Sequence, residues 1–160
     1  MSAGNDAISA VETALANLGL SVPEAPKPLA AYVPAVISGP YVYTAGQLPF
    51  INGELTDTGK VGAEVTPERA KELAEVSILN ALGAIKGQIA DLDRITRIVK
   101  VVGFVASDPE FYGQPGVING ASELLGSVFG DAGIHARSAV GVTVLPMNSP
   151  VEIEVIAEFV

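Results

Sequence analysis

The chain has no cysteine and no tryptophan, a single histidine, and nine lysines and arginines against eighteen acids in its 160 residues. Each scarcity removes a class of chemistry. Without cysteine there is no disulfide, no thiolate nucleophile and no thiolate ligand, and His135 by itself cannot build the multi-histidine clusters of most catalytic zinc sites. A formal charge of −9 with no basic run argues against nucleic acid as a partner, because non-specific binding draws on lysine and arginine neutralising phosphates. No GxG pair and no Walker-type glycine-lysine loop is present to cradle a nucleotide. No apolar run is long enough to cross a bilayer, so no membrane partner is expected. The opening Met1-Ser-Ala-Gly-Asn-Asp6 lacks the basic start and apolar stretch of a signal peptide, and a cytoplasmic location is the expectation.

What is present is apolar. A content of 49% hydrophobic residues over this length fills one core and does not divide comfortably into two. Asn5 or Asp6 can cap a first helix carrying Ile8, Val11, Leu15 and Leu18 at helical spacing, with Gly19 as its stop. The prolines of Val22–Pro28 then impose an extended linker. Two β-prone runs, Tyr32–Ile37 and Tyr41–Ala45, flank Ser38-Gly39-Pro40 and predict a hairpin, and Asn52-Gly53 is a further turn signal. Glu54–Glu64 reads as a surface loop.

Thr66-Pro67 announces a second helix running to about Gln88, with Ile78, Leu82, Ile85 and Ile89 as its buried stripe and Glu68, Arg69, Lys71, Glu72 and Glu75 solvated. The valine- and isoleucine-rich run Ile95–Ala106 has the form of a buried strand, with Arg94, Arg97 and Lys100 as surface or ion-pairing residues near its start. A third helix from near Pro115 to Gly130 turns Leu124, Leu125, Val128 and Phe129 inward. Strands Arg137–Val144 and Val151–Phe159 close the chain around a loop bounded by prolines. The order helix-β-β-α-β-α-β-β predicts an α+β fold, a mixed sheet with two helices on one face. Val33, Val36 and Val140–Val144 suggest that other subunits close the second face.

Beyond Lys100 the chain carries one cation, Arg137, at the head of a strand and followed by Glu152, Glu154 and Glu158. Two readings stand side by side: a solvated or ion-paired strand end, and an anion hook whose planar fork matches a carboxylate. If the last two strands form a symmetric hairpin, Arg137 faces Glu158 and Glu152 faces Thr143. Arg137 and Glu152 then share a face about 20 Å apart, and one pocket could use both only by drawing them from different subunits.

The stretches Tyr41-Val-Tyr-Thr-Ala-Gly-Gln-Leu-Pro49, His135-Ala-Arg-Ser-Ala-Val140 and Val151-Glu-Ile-Glu-Val-Ile-Ala157 resemble the RidA/YjgF reactive-intermediate deaminase family, also called L-PSP endoribonuclease-like. The resemblance covers residues 28–160, leaving 1–27 as a helix and proline-rich linker appended to it. It implies a chorismate-mutase-like fold, a homotrimer with clefts between subunits, and hydrolysis of small enamine or imine carboxylates to 2-keto acid and ammonia without metal or organic cofactor. Carried onto this chain, the carboxylate anchor is Arg137 and the water-positioning or proton-transferring glutamate is Glu152. Tyr32 matches the aromatic wall, Asn119 the pocket residue of the third helix, and Gly46 the backbone glycine. Plainer roles accompany each: a core aromatic for Tyr32, a capping or surface residue for Asn119, a turn or bulge glycine for Gly46. Ala45 stands where many deaminating members have a serine or threonine, and Ala139 where a cysteine is common, so part of the hydrogen-bonding set is absent. The sequence leaves open a deaminase, a non-catalytic trimer that binds or senses small carboxylates, and, ranked last, an endoribonuclease.

Overall fold

The computed structural model describes residues 9–25, 27 and 31–160. Its elements are α1 (Ala10–Asn17), β1 (Ala35–Ser38), β2 (Tyr41–Thr44), α2 (Pro67–Ile89), β3 (Ile95–Ala106), α3 (Gln114–Phe129), β4 (Ala136–Val142) and β5 (Val151–Phe159). Local signals account for most boundaries. Thr66 caps α2 by accepting from the Arg69 amide, and Pro67 occupies the first turn, where its missing N–H costs nothing. The α2 stripe Ile78, Leu82, Ile85 and Ile89 is buried throughout, each such side chain contributing about 1.5–3 kcal/mol of hydrophobic free energy. Asn52 and Gly53 take the positive φ values, 50° and 80°, that a tight hairpin turn requires.

The first helix begins later than its periodicity suggests. Ser9 is the cap, and Asn5, Asp6 and Ile8 lie outside the described residues. Asp93, which follows α2 at the start of β3, reaches across to α1: its carboxylate accepts from the Ser9 hydroxyl (2.8 Å) and the amides of Ala10 (2.7 Å) and Val11 (2.9 Å). A carboxylate at a helix N-terminus satisfies orphan donors and meets the positive end of the helix dipole. Lys86 of α2 completes the clasp by pairing with Glu12 at 2.6 Å. The helix thereby joins the main core through Val11 and Leu15.

The strand order is β1-β2-β5-β3-β4. Strands β1 and β2 form the expected hairpin, although Pro34 delays the start of β1 to Ala35. The expected hairpin of the last two strands is not formed, because β3 lies between them. Strand β4 pairs parallel with one edge of β3, and β5 pairs antiparallel with the other edge and with β2. The cause is the crossover through α3: a β-α-β connection returns the chain parallel and adjacent to the strand it left, which occupies one edge of β3. The Leu145–Pro150 loop then passes over the end of β3, where the Ala106 amide donates to Pro150 O at 2.9 Å. Arg137 accordingly stands opposite Val101, not Glu158, and Glu158 pairs with Tyr41 and Arg97 while accepting from the Thr96 hydroxyl at 2.8 Å.

Helices α2 and α3 cover the face formed by Val42, Ile98, Val101, Val105, Ile153, Val155 and Ala157. The opposite face has no helix over it among the described residues and presents Val36, Tyr43 and Val140 with Glu152, Glu154 and Glu158. Arg94 has a structural role, bonding Ile89 O at the end of α2 and Val160 O and lying 5.2 Å from the Phe159 ring centroid.

Burial pushes the Asp93 carboxyl up, but the bonds from Val11, Ala10 and Ser9 outweigh it and hold the group below the ordinary aspartate value. A depressed folded value stabilises the fold above the unfolded pKa, and that contribution is lost as pH falls through the folded one. Asp93→Ala is expected to cost about 1 kcal/mol. Its effect on the urea midpoint should disappear in acid, and hydrogen exchange should quicken selectively in α1.

Candidate functional site

Arg137 is the second residue of β4, an edge strand, and its register with Val101 directs its side chain to the helix-covered face. There it meets α3. Its Nη1 donates to Asn119 Oδ1 at 2.8 Å and to Ser122 Oγ at 3.2 Å. Those two bonds use both hydrogens of Nη1, leaving the Nε–Nη2 edge, the side of the fork that takes a carboxylate bidentately, without a protein partner among the described residues. No acid pairs with Arg137 among those residues, nor with Lys60, Arg94, Arg97 or Lys100, whereas Arg69 has two acid partners and Lys71 and Lys86 one each. Asn119 is mid-helix and acts here as an acceptor, not as a cap. Ala139, two residues on, points the same way and packs against the core.

Tyr32, Gly46 and Glu152 gather elsewhere, around a cavity of about 420 Å³ that Lys27, Pro34, Gln47, Leu48, Phe50, Pro146 and Met147 also line. Tyr32 is 64% exposed, which rules out the core role. Gln47 exchanges two backbone bonds with Ile153, 2.8 and 3.0 Å, and so lays the Ala45–Gln47 segment along β5 beside Glu152. Gly46 has no positive φ, and its missing Cβ leaves room for the end of the Glu152 side chain. A Cβ there would stand 2.8 Å from Glu152 Cδ. Ala45 does not line the cavity; its amide donates to Pro34 O at 2.7 Å, and its carbonyl accepts from Gln47 Nε2 at 3.3 Å. Burial first, and then the negative charge of Glu154, push the Glu152 carboxyl above the ordinary glutamate value. Such a group can deliver a proton as well as take one.

The two clusters are on opposite faces of the sheet. Glu152 shares its row with Phe104, three residues along β3 from the Val101 row of Arg137, and two strand spacings separate β4 from β5. That places their Cα atoms about 14 Å apart, not the 20 Å of a hairpin, and with side chains diverging. Within one chain they form two half-sites.

Several residues of these half-sites carry no signal in the sequence. Ser122 is one polar residue on an amphipathic helix, and only the crossover brings it under Arg137. Asn80 of α2 donates to Leu48 O and Phe50 O at 3.0 and 3.1 Å and so holds the cavity wall. Lys27 and Met147 reach the cavity from a linker and a loop.

A small α+β sheet domain with an arginine held by α3 on its edge strand and an acid beside a close-packed glycine defines the class. A family model described as YjgF/chorismate_mutase-like matches residues 12–159, and the chain belongs to this family, with its chorismate-mutase-like fold. Protein TCP17 of Trypanosoma cruzi is 40% identical over 145 residues, spanning 90% of this chain and 91% of that protein. The crystal structure of Atu1372 from Agrobacterium tumefaciens, a protein of unknown function, superposes with a TM-score of 0.89 at 45% identity, covering 94% of this chain and 93% of that one. The YjgF gene product of Escherichia coli is more distant, with a TM-score of 0.60 at 26% identity over 84% of this chain and 93% of its own. No helix among the described residues is long and apolar enough to cross a membrane.

Carboxyl NMR should place the Glu152 titration above the ordinary glutamate value of about 4.3. Glu154→Gln is expected to lower it part of the way, since burial is the larger cause. A raised folded pKa means that stability declines as pH rises from the unfolded value through the folded one, so Glu152→Gln should raise the melting temperature at neutral pH. Gly46→Ala should displace the Glu152 side chain and move its titration while leaving the secondary structure unchanged.

Proposed function

We propose that this protein is a cofactor-independent hydrolytic deaminase of small enamine and imine carboxylates, with its sites in the clefts of a homotrimer. The observation that carries the reading is the Nε–Nη2 edge of Arg137: a half-buried guanidinium held in place, uncharged neighbours on Nη1, and, among the described residues, no acid on the edge that fits a carboxylate. The separation of the half-sites supports the assembly, because Arg137 of one subunit can meet Glu152 and Tyr32 only of another. The open sheet face, where Val36, Tyr43 and Val140 are exposed, offers the surface for it.

The chemistry follows from the parts. Arg137 fixes the substrate carboxylate and so orients the adjacent C=N carbon. Protonated Glu152 gives its proton to the imine nitrogen, which makes that carbon electrophilic; an enamine reaches the same iminium by taking that proton at its β-carbon. The resulting carboxylate takes a proton from the attacking water, forming a carbinolamine. Glu152 passes that proton to the carbinolamine nitrogen and takes the hydroxyl proton as ammonia leaves and the C=O bond forms, so imine and water become 2-keto acid and ammonia, and Glu152 ends protonated. Tyr32, Pro34, Leu48, Phe50 and Met147 make the cavity wall largely apolar and suit an apolar side chain on the substrate.

One observation favours binding without turnover: Ala45 supplies no hydroxyl to hold the water. The assay separates the two. An amino-acid oxidase generates the imine of leucine or alanine in situ, and keto-acid release is followed. Wild type should accelerate release, and Arg137→Ala should reduce kcat/KM by about 30-fold or more, the cost of removing one partner of a desolvated charge pair. No acceleration, with calorimetric binding of 2-keto acids that Arg137→Ala abolishes, would establish the binding trimer instead. Sedimentation should give three times the 16.4 kDa chain mass.

A further inference from the structure

His135 and Ser122 form a chain of hydrogen bonds that ends on Arg137. His135 Nδ1 lies 2.6 Å from Gly133 O, and its Nε2 lies 2.9 Å from Ser122 Oγ. A carbonyl oxygen only accepts, so Nδ1 carries the proton. In the neutral ring the lone pair is then on Nε2, which must accept from the Ser122 hydroxyl. With its hydrogen so directed, Ser122 Oγ turns a lone pair to Arg137 Nη1, 3.2 Å away. Every bond in the series points the same way, the arrangement in which neighbouring hydrogen bonds polarise one another favourably.

We infer that Ser122 and His135 are positioning residues that hold the Arg137 fork in its ligand-binding orientation without neutralising it. This rests on the anchor reading above. The chemical composition of the support is its argument. Asn119, Ser122 and the Gly133 carbonyl are uncharged, and so is an imidazole that accepts from Ser122, so the guanidinium is gripped on Nη1 while its full charge is kept for the ligand. A carboxylate in any of these places would fix the arginine equally well and compete with a bound anion. Gly133 gives the series a rigid end, since it is buried against the Leu125 carbonyl of α3. The histidine sits just before β4 begins, and the serine is one helical turn from Asn119, so both Nη1 acceptors come from the same face of α3.

His135 is the only histidine in the sequence, so one pair of imidazole nitrogens reports the relay directly. Nitrogen-15 NMR of the full chain at neutral pH is expected to show the Nδ1–H tautomer, with an Nε2 resonance that moves in Ser122→Ala; an Nε2–H tautomer would overturn the inference. Binding of pyruvate and of benzoate by calorimetry gives the functional side. Ser122→Ala and His135→Leu should each weaken binding about 3- to 10-fold, the worth of one hydrogen bond. His135→Gln, whose amide oxygen can stand near the Nε2 position, should recover most of that loss, with melting temperatures checking that all variants fold. If His135→Gln binds no better than His135→Leu, the histidine acts by packing and the relay is wrong. Unchanged binding in Arg137→Ala sinks the anchor itself, whereas loss there with wild-type binding in Ser122→Ala and His135→Leu sinks only the relay. Should wild type bind neither probe, the anchor reading fails and the tautomer result alone decides the relay.

Discussion

The placement of β3 between β4 and β5 is the constraint on which the site depends. Because the crossover through α3 claims one edge of β3, β4 becomes a sheet edge and Arg137 is carried to the helix-covered face, within reach of Asn119 and Ser122. Because β5 takes the other edge, Glu152 emerges on the open face, beside the segment that Gln47 sews to Ile153. Within one chain the two clusters stay apart, and the sheet face that carries Glu152 has no helix over it among the described residues. The proposed assembly would cover that face and could bring Arg137 of one copy to Glu152 of another.

Charge is handled differently in the two halves of the molecule. Arg69 lies between Asp57 and Glu72, Lys71 meets Glu123, and Lys86 meets Glu12, pairs at the surface that contribute little individually. Arg137 is instead surrounded by neutral acceptors. Lys60, Arg94, Arg97 and Lys100 also lack an acid partner among the described residues, so what sets Arg137 apart is the pair of side-chain acceptors from α3 that fixes Nη1. On the other side, Glu152 has burial and Glu154 against its ionisation, which leaves it suited to moving a proton.

Much of this was legible in the residues. Thr66-Pro67 marked the start of α2, the alternation of Val151–Phe159 marked β5, and the run Ile95–Ala106 marked β3 to the residue. Arg137 stood out by charge distribution, and Tyr32, Gly46, Asn119 and Glu152 came from the family resemblance; the structure sets Asn119 beside Arg137 and the other three around one cavity. The last hairpin did not. A short proline-bounded loop between two strands reads as a hairpin because the loop records only its own length, and nothing local reports that another strand is seated between its ends. That error carried the false Arg137–Glu158 pairing and the false shared face with it. Ser122 was invisible for a related reason: a serine on a helix acquires meaning only from what the tertiary fold places beside it.

The sequence by itself determined the elements, their caps, the apolar faces and the presence of a single unexplained cation, since these rest on periodicity, turn chemistry and charge within a few residues of one another. Only the tertiary structure decided the strand order, the opposite orientation of Arg137 and Glu152, the clasp of Asp93 on α1 and the hydrogen-bonded series from Gly133 to Arg137. Those depend on which strand edges and which donors remain free once distant segments have packed. Such competition is settled by the whole chain and leaves no mark in any one stretch of it.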